Sequence, residues 1–190
     1  MKLYLMLCLM TVTVKVSSEY RNLSGKKEKS LDTCTGVFVS ENEVLTADHC
    51  VKDSTGKQWI KNKKGQSFTA IVERRDSVHD LALLKVYIKN KNFAHLGKQP
   101  EITDKVYSVN SGNDLTYTWD EGVVENIMMY EETDPSPIIL SSFHIMPGAS
   151  GGGLFNSKGE LVGINVATIL GGSLAVNTPD IRTFLAKLDD

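Results

Sequence analysis

Three segments of this chain carry side chains that can perform acyl transfer together: Thr46-Ala-Asp-His-Cys50, His79-Asp80-Leu-Ala-Leu-Leu84 and Gly148-Ala-Ser-Gly-Gly152. A serine hydroxyl with its ordinary pKa is a weak nucleophile near neutral pH. An imidazole that accepts its proton activates it, provided a carboxylate holds that imidazole in one tautomer. Ser150, His49 and Asp80 supply these three types of group, as candidate nucleophile, base and orienting acid. The glycines around Ser150 allow backbone N–H groups to turn toward an oxygen that gains negative charge. The N–H groups of Gly148 and Ser150 are the expected oxyanion donors.

Each piece alone is weak, because a serine among glycines is common in loops and an Asp at a strand start is often only a turn residue. The longer run Pro147–Phe155, followed by Gly159–Asn165, is more restrictive. It reads as a loop, a strand, a turn at Asn156–Gly159 and a second strand. Ahead of His49, two β-rich runs (36–40 and 44–46) flank the turn Glu41–Glu43, and Ala47–Val51 reads as one helical turn. Asp80 opens the apolar strand Leu81–Ile88, whereas the competing Asp76 has no such strand directly after it. The order His49, Asp80, Ser150 resembles that of the chymotrypsin/trypsin family of serine endopeptidases and differs from those of the subtilisins and α/β-hydrolases. The hairpin around Ser150 is especially similar to those of the compact bacterial HtrA and V8-like branches. The resemblance spans roughly residues 32–185.

That resemblance implies an all-β fold of two packed six-stranded β-barrels with a C-terminal α-helix. His49 and Asp80 would lie in a first barrel of about 32–95, and Ser150 in a second of about 103–177. It also implies a disulfide between Cys34 and Cys50, one residue from His49. The substrate pocket would involve His144, Asn165, Val166 and Ala167. His144 stands where trypsins carry an Asp at the pocket base, and Asn165 where glutamate-specific V8-like enzymes carry a His. Small or medium uncharged substrate side chains are therefore expected. Ala149 replaces the Asp that, in trypsin-type zymogens, pairs with a newly exposed N-terminal amine, so activation by that ion pair is not expected. Asp48 is the one departure from the family motif Thr-Ala-Ala-His-Cys, and it is expected to face solvent. A catalytically silent binding protein on the same fold is the alternative to an enzyme.

The 190 residues can bury one sizeable core or two small ones packed together. A net charge of −2 gives no overall basic field to attract nucleic acid. The one basic run, Lys57–Lys64, reads as a solvated hairpin tip. No H-E-x-x-H or C-x-x-C motif occurs, so neither a metal nor a cofactor is expected, and the expected partner is a polypeptide substrate. Lys2, the apolar run Leu3–Val14 and the small residues Ser17 and Ser18 read as a signal peptide over 1–18, outside the fold. At twelve residues this run is too short to span a bilayer, which takes about 20. Secretion or a periplasmic location follows, and removal of Cys8 leaves the even pair Cys34 and Cys50 in an oxidising compartment. The only glycosylation sequon is Asn22-Leu-Ser24.

The remaining apolar runs are short and separated by turn residues, which argues for a barrel or sandwich. The boundary between barrels is expected near 90–103. At the end, Thr178 reads as a cap, Pro179 suits the first turn, and Ile181, Phe184, Leu185 and Leu188 form a helical stripe over 179–188. With the chain ending there, no PDZ domain is expected.

Overall fold

Short strands rich in β-branched residues, broken by turns, fold into two closed six-stranded antiparallel barrels. The computed structural model describes residues 2–21, 24, 26–54, 58–111, 116–131 and 134–186. The first barrel contains β1 (Thr11–Arg21), β2 (Lys27–Phe38), β3 (Glu43–Thr46), β4 (Gln58–Lys61), β5 (Ser67–Asp76) and β6 (Leu81–Val86), closed in the order β1-β2-β3-β6-β5-β4. The second contains β7 (Lys105–Ser111), β8 (Tyr117–Glu131), β9 (Asp134–Ser141), β10 (Gly153–Phe155), β11 (Leu161–Ile169) and β12 (Gly172–Asn177), closed as β10-β11-β12-β9-β8-β7. Closure leaves neither sheet with a free edge. The segment between them follows Val86 and ends where β7 begins at Lys105.

The N-terminus belongs to the fold, which corrects the expectation that residues 1–18 stand outside it. Residues 2–10 form the helix α1 (Lys2–Met10), and β1 pairs with β2 over its whole length and with β4 from Thr13 to Val16. The physical reason lies in alternation with period two: Val12, Val14 and Val16 fill the first barrel, while Thr11 and Thr13 on the opposite face are also buried. Thr13 hydrogen-bonds Ser111 of β7, and the Tyr117 hydroxyl donates to the Thr11 carbonyl at 3.1 Å, so β1 joins the two barrels. Leu7 and Met10 enter the shared core with Leu45, Leu83, Phe155 and Ile164. The sequon residues Asn22 and Leu23 lie outside the described residues.

Two smaller expectations also change. Asp120-Glu-Gly122, turn-type residues that separate two apolar runs in the sequence, is absorbed into the single long strand β8. The final helix, α2 (Thr178–Ala186), is capped by Asn177, whose side-chain oxygen accepts the Asp180 N–H at 2.9 Å. Thr178 cannot serve because its hydroxyl donates to the Val162 carbonyl at 2.8 Å. Ile181 and Phe184 are buried against the barrels, as the stripe predicts, while Leu188 lies outside the described residues. Of the Lys57–Lys64 run, Lys57 lies outside the described residues and the rest forms β4 and an exposed turn, in which the Asn62 side chain accepts from the N–H groups of Lys64 and Gln66.

Candidate active site

His49 sits on a short 3-10 turn, Asp48–Cys50, that leaves β3 directly. A disulfide joins Cys50 to Cys34 on β2, with their Cα atoms 6.2 Å apart, and pins that turn against the barrel wall. The sulfurs of Cys34 and Cys50 and a nitrogen of His49 lie within 4.8 Å of one another. The two sulfurs are bonded to each other, so the thiolates that a metal would need are absent.

Asp80 stands at the start of β6 with φ of 53°, in the left-handed region that non-glycine residues seldom occupy. This turn aims both carboxylate oxygens at His49. Oδ1 accepts the His49 backbone N–H at 2.7 Å, and Oδ2 lies 2.6 Å from Nδ1. An ionised carboxylate only accepts, so the proton resides on Nδ1 and Nε2 carries the lone pair. Asp76 is committed elsewhere: its Oδ2 lies 2.7 Å from Nδ1 of His79, and its Oδ1 accepts the N–H groups of Val78 and His79. Burial pushes the Asp76 carboxyl up, but the hydrogen bonds from His79 and Val78 outweigh it and hold the group below its ordinary value.

Asp48 does not face solvent. Its side chain is only 3% exposed and takes a two-pronged bond from Arg75 on β5, Nε to Oδ1 at 2.5 Å and Nη2 to Oδ2 at 3.1 Å. The expectation was half right: the side chain diverges from the imidazole, but toward β5 and not toward water. Hydrogen bonding to Asp48 raises the Arg75 guanidinium above its ordinary value, against the effect of burial.

The Ser150 loop reaches the first barrel through backbone contacts. The Thr35 N–H donates to the Ser150 carbonyl at 2.9 Å, and the Thr35 hydroxyl donates to the Gly148 carbonyl at 2.8 Å. Gly151, at φ of 81°, lies flat against Thr35 of β2 and against Thr46 and Ala47, which precede His49 by three and two residues. A β-carbon there would overlap Thr46 and the Thr35 carbonyl, so only glycine permits this approach. From the other side, the Asn165 backbone clamps the loop, accepting from Gly151 N–H at 2.7 Å and donating to Gly152 O at 2.8 Å. Gly148 turns at φ of 94°. Among the described residues, the N–H groups of Gly148 and Ser150 donate to no other group, which leaves both free for an incoming oxygen.

The four expected pocket residues divide. Val166 and Ala167 line a cavity of about 180 Å³ beside Asp80, with Val78, Ile138 and Leu174 among its apolar walls. Asn165 does not line it: its side chain is fully buried in the second barrel and donates to Ser108 at 2.8 Å. An odd extra residue explains this, because a bulge between Asn165 and Ala167 turns the chain between the two positions. His144 is exposed and is not part of this cavity. Sequence reasoning missed Val78, Ile138 and Leu174, which come from three separate strands or turns and share no local motif. It also missed Thr35 and Arg75, whose partners lie far along the chain.

Two barrels with these residues gathered between them define the architecture of a trypsin-type peptidase. The chain belongs to this family: residues 34–164 match the trypsin-like peptidase domain. It is 31% identical over 141 residues to a probable periplasmic serine endoprotease DegP-like protein of Chlamydia muridarum (strain MoPn / Nigg), covering 72% of this chain and 28% of that one. A DegP-like protein of Ectopseudomonas mendocina (strain ymp) is 31% identical over 165 residues, covering 83% and 34%. The serine protease HTRA1A of Danio rerio is 27% identical over 174 residues, covering 87% and 36%. The chain thus spans about a third of the length of such relatives.

Proposed function

We propose that this protein is a serine endopeptidase that cleaves polypeptides through an acyl-enzyme at Ser150. The observation that carries the reading is the bond from His49 Nδ1 to Asp80, with the Ser150 loop docked through Gly151 onto the end of β3, just ahead of the turn that carries His49. Ser150 Oγ attacks the scissile carbonyl while Nε2 of His49 takes its proton. Asp80 stays ionised and balances the imidazolium charge. The N–H groups of Gly148 and Ser150 receive the developing oxyanion. His49 then returns the proton to the leaving amine, and water releases the acyl group by the same steps in reverse.

The cavity beside Asp80 is walled by Val78, Ile138, Val166 and Leu174, which suit an uncharged substrate side chain of small or medium size, while His79, Asp80 and Asp180 line its polar side. Ala149 offers no carboxylate to an N-terminal amine, and the loop is ordered instead by Thr35 and Asn165. The relatives named periplasmic, together with the Cys34–Cys50 bond, support a periplasmic or secreted location. Among the described residues no helix is long and apolar enough to cross a membrane. The test is a peptide-library cleavage profile on wild type and Ser150→Ala. Cleavage after uncharged residues, lost by on the order of 10⁶ in kcat in the variant, is expected. A variant retaining a hundredth of wild-type activity would refute the assignment.

A further inference from the structure

We propose that the ion pair between the buried Asp48 carboxylate and the solvent-edge guanidinium of Arg75 is a positioning device for the catalytic dyad, locking the turn that carries His49 to the hairpin that delivers Asp80. The inference rests on the reading of His49 as general base and Asp80 as its orienting acid.

The family motif has Ala where this chain has Asp48, so a carboxylate is not needed to build the turn. Burying one is costly unless it is paired and hydrogen-bonded. Here it is both, through the Nε and Nη2 bonds from Arg75. The partners are placed where their bond has leverage. Asp48 immediately precedes His49, and its own N–H donates to the Asp80 carbonyl at 3.1 Å. Arg75 lies near the end of β5 and pairs across the hairpin with Ala82, two residues beyond Asp80. The result is a closed ring: the His49 turn holds Asp80 through main-chain and side-chain bonds, and Arg75 reaches back from the same hairpin to hold the His49 turn.

Asp80 is the residue in this ring that needs holding. Its left-handed backbone is unfavourable for a residue with a β-carbon and persists only where neighbours over-determine it. The Asp76–His79 contacts brace the tip of the hairpin from within, but nothing in them ties the tip to His49. The Arg75–Asp48 pair supplies that tie. A planar, two-pronged bond fixes orientation as well as distance, which a single charge contact cannot do.

Four variants, assayed with a peptide ester against active wild type, test this: Arg75→Met, Asp48→Ala, the double variant, and Arg75→Lys. Arg75→Met leaves a buried carboxylate unpaired beside His49 and is expected to lower kcat by about 30-fold, with KM within about threefold. Asp48→Ala, which restores the family residue, is expected to cost no more than about tenfold, and the double variant no more than Asp48→Ala, because no charge is stranded. The pH profile separates positioning from mere loss of structure. Asp80, Asp32 and Asp53 also face the imidazole or share its flanking cavity, and they are the same in every variant. In Arg75→Met the unbalanced Asp48 charge stabilises the imidazolium, so the acid limb of kcat/KM moves about half a unit or more to higher pH. It returns in the double variant. Arg75→Lys keeps the charge but not the fork, so its acid limb stays at the wild-type pH while kcat falls part of the way. If Arg75→Met fails to fold, Arg75→Lys and the double variant carry the test through their pH limbs and kcat values.

An Arg75→Met enzyme within twofold of wild type in kcat, with an unmoved acid limb, overturns the proposal. So does a double variant with the product of the two single losses. Neither result touches the triad, which is judged separately: a wild-type protein no more active than Ser150→Ala would overturn the reading on which this inference rests.

Discussion

Cleavage after Ser18 would destroy the first barrel. A chain beginning at Glu19 lacks α1 and most of β1, and the missing residues include Leu7, Met10, Val12, Val14 and Val16, each no more than 4% exposed. Full burial of such a side chain contributes about 1.5–3 kcal/mol, so the five together amount to roughly 7–15 kcal/mol, an upper range because unfolded chains already bury part of that surface. The whole stability of a domain is only about 5–15 kcal/mol. The truncation also removes the ladders from β1 to β2 and β4, leaving two open edges where the barrel was closed. Purified chains spanning 1–190 and 19–190 should be compared by circular dichroism, thermal melting and active-site labelling. The shorter chain is expected to show no cooperative melt and no labelling. A 19–190 protein that melts within a few degrees of the longer chain and labels equally would show that β1 is dispensable and that the barrel can close without it.

Further outcomes follow from individual contacts. Gly151→Ala should lower kcat/KM by at least about a hundredfold while the protein stays folded, since a methyl group there drives the loop off Thr46 and misplaces Ser150; steady-state kinetics and a melting curve check it. Replacing Cys34 and Cys50 with Ala should cost about 3 kcal/mol in the chain-entropy view of a short loop, measured by urea unfolding. Asp76 has its carboxyl held below the ordinary 3.8, so its contribution is complete above that value and fades as pH falls through the folded-state value. Asp76→Asn should therefore melt lower than wild type at neutral pH, and the difference should shrink in acid; an unchanged gap down to the acid limit would refute it.

The proposed catalytic groups stand out in the sequence because each lies in a compact local motif. His49, Asp80 and Ser150 have glycines, turn residues and apolar strands as immediate neighbours, and chain order completes the pattern. Short β-rich runs with turns between them point to a barrel or sandwich, and the resemblance to trypsin-like peptidases points to two six-stranded barrels. What failed depended on partners distant in sequence. Asp48 finds its cation 27 residues away. Asn165 turns inward because of a bulge that no local composition announces. The apolar run at the N-terminus resembles an export signal, yet the structure packs it as a helix and a strand of the first barrel. The strict alternation of Thr11-Val-Thr-Val-Lys-Val16 suits such a strand with two buried faces.

The proposed function requires Ser150 to be an activated nucleophile. Treatment of the folded protein with a fluorophosphonate, followed by peptide mass mapping, tests it most directly, since phosphonylation requires a serine deprotonated by its base. One adduct on Ser150 is predicted, abolished in Ser150→Ala and reduced by orders of magnitude in His49→Ala. Folded wild-type protein that forms no adduct, or that carries it on another serine, would contradict the account and leave a trypsin-fold binding protein in its place.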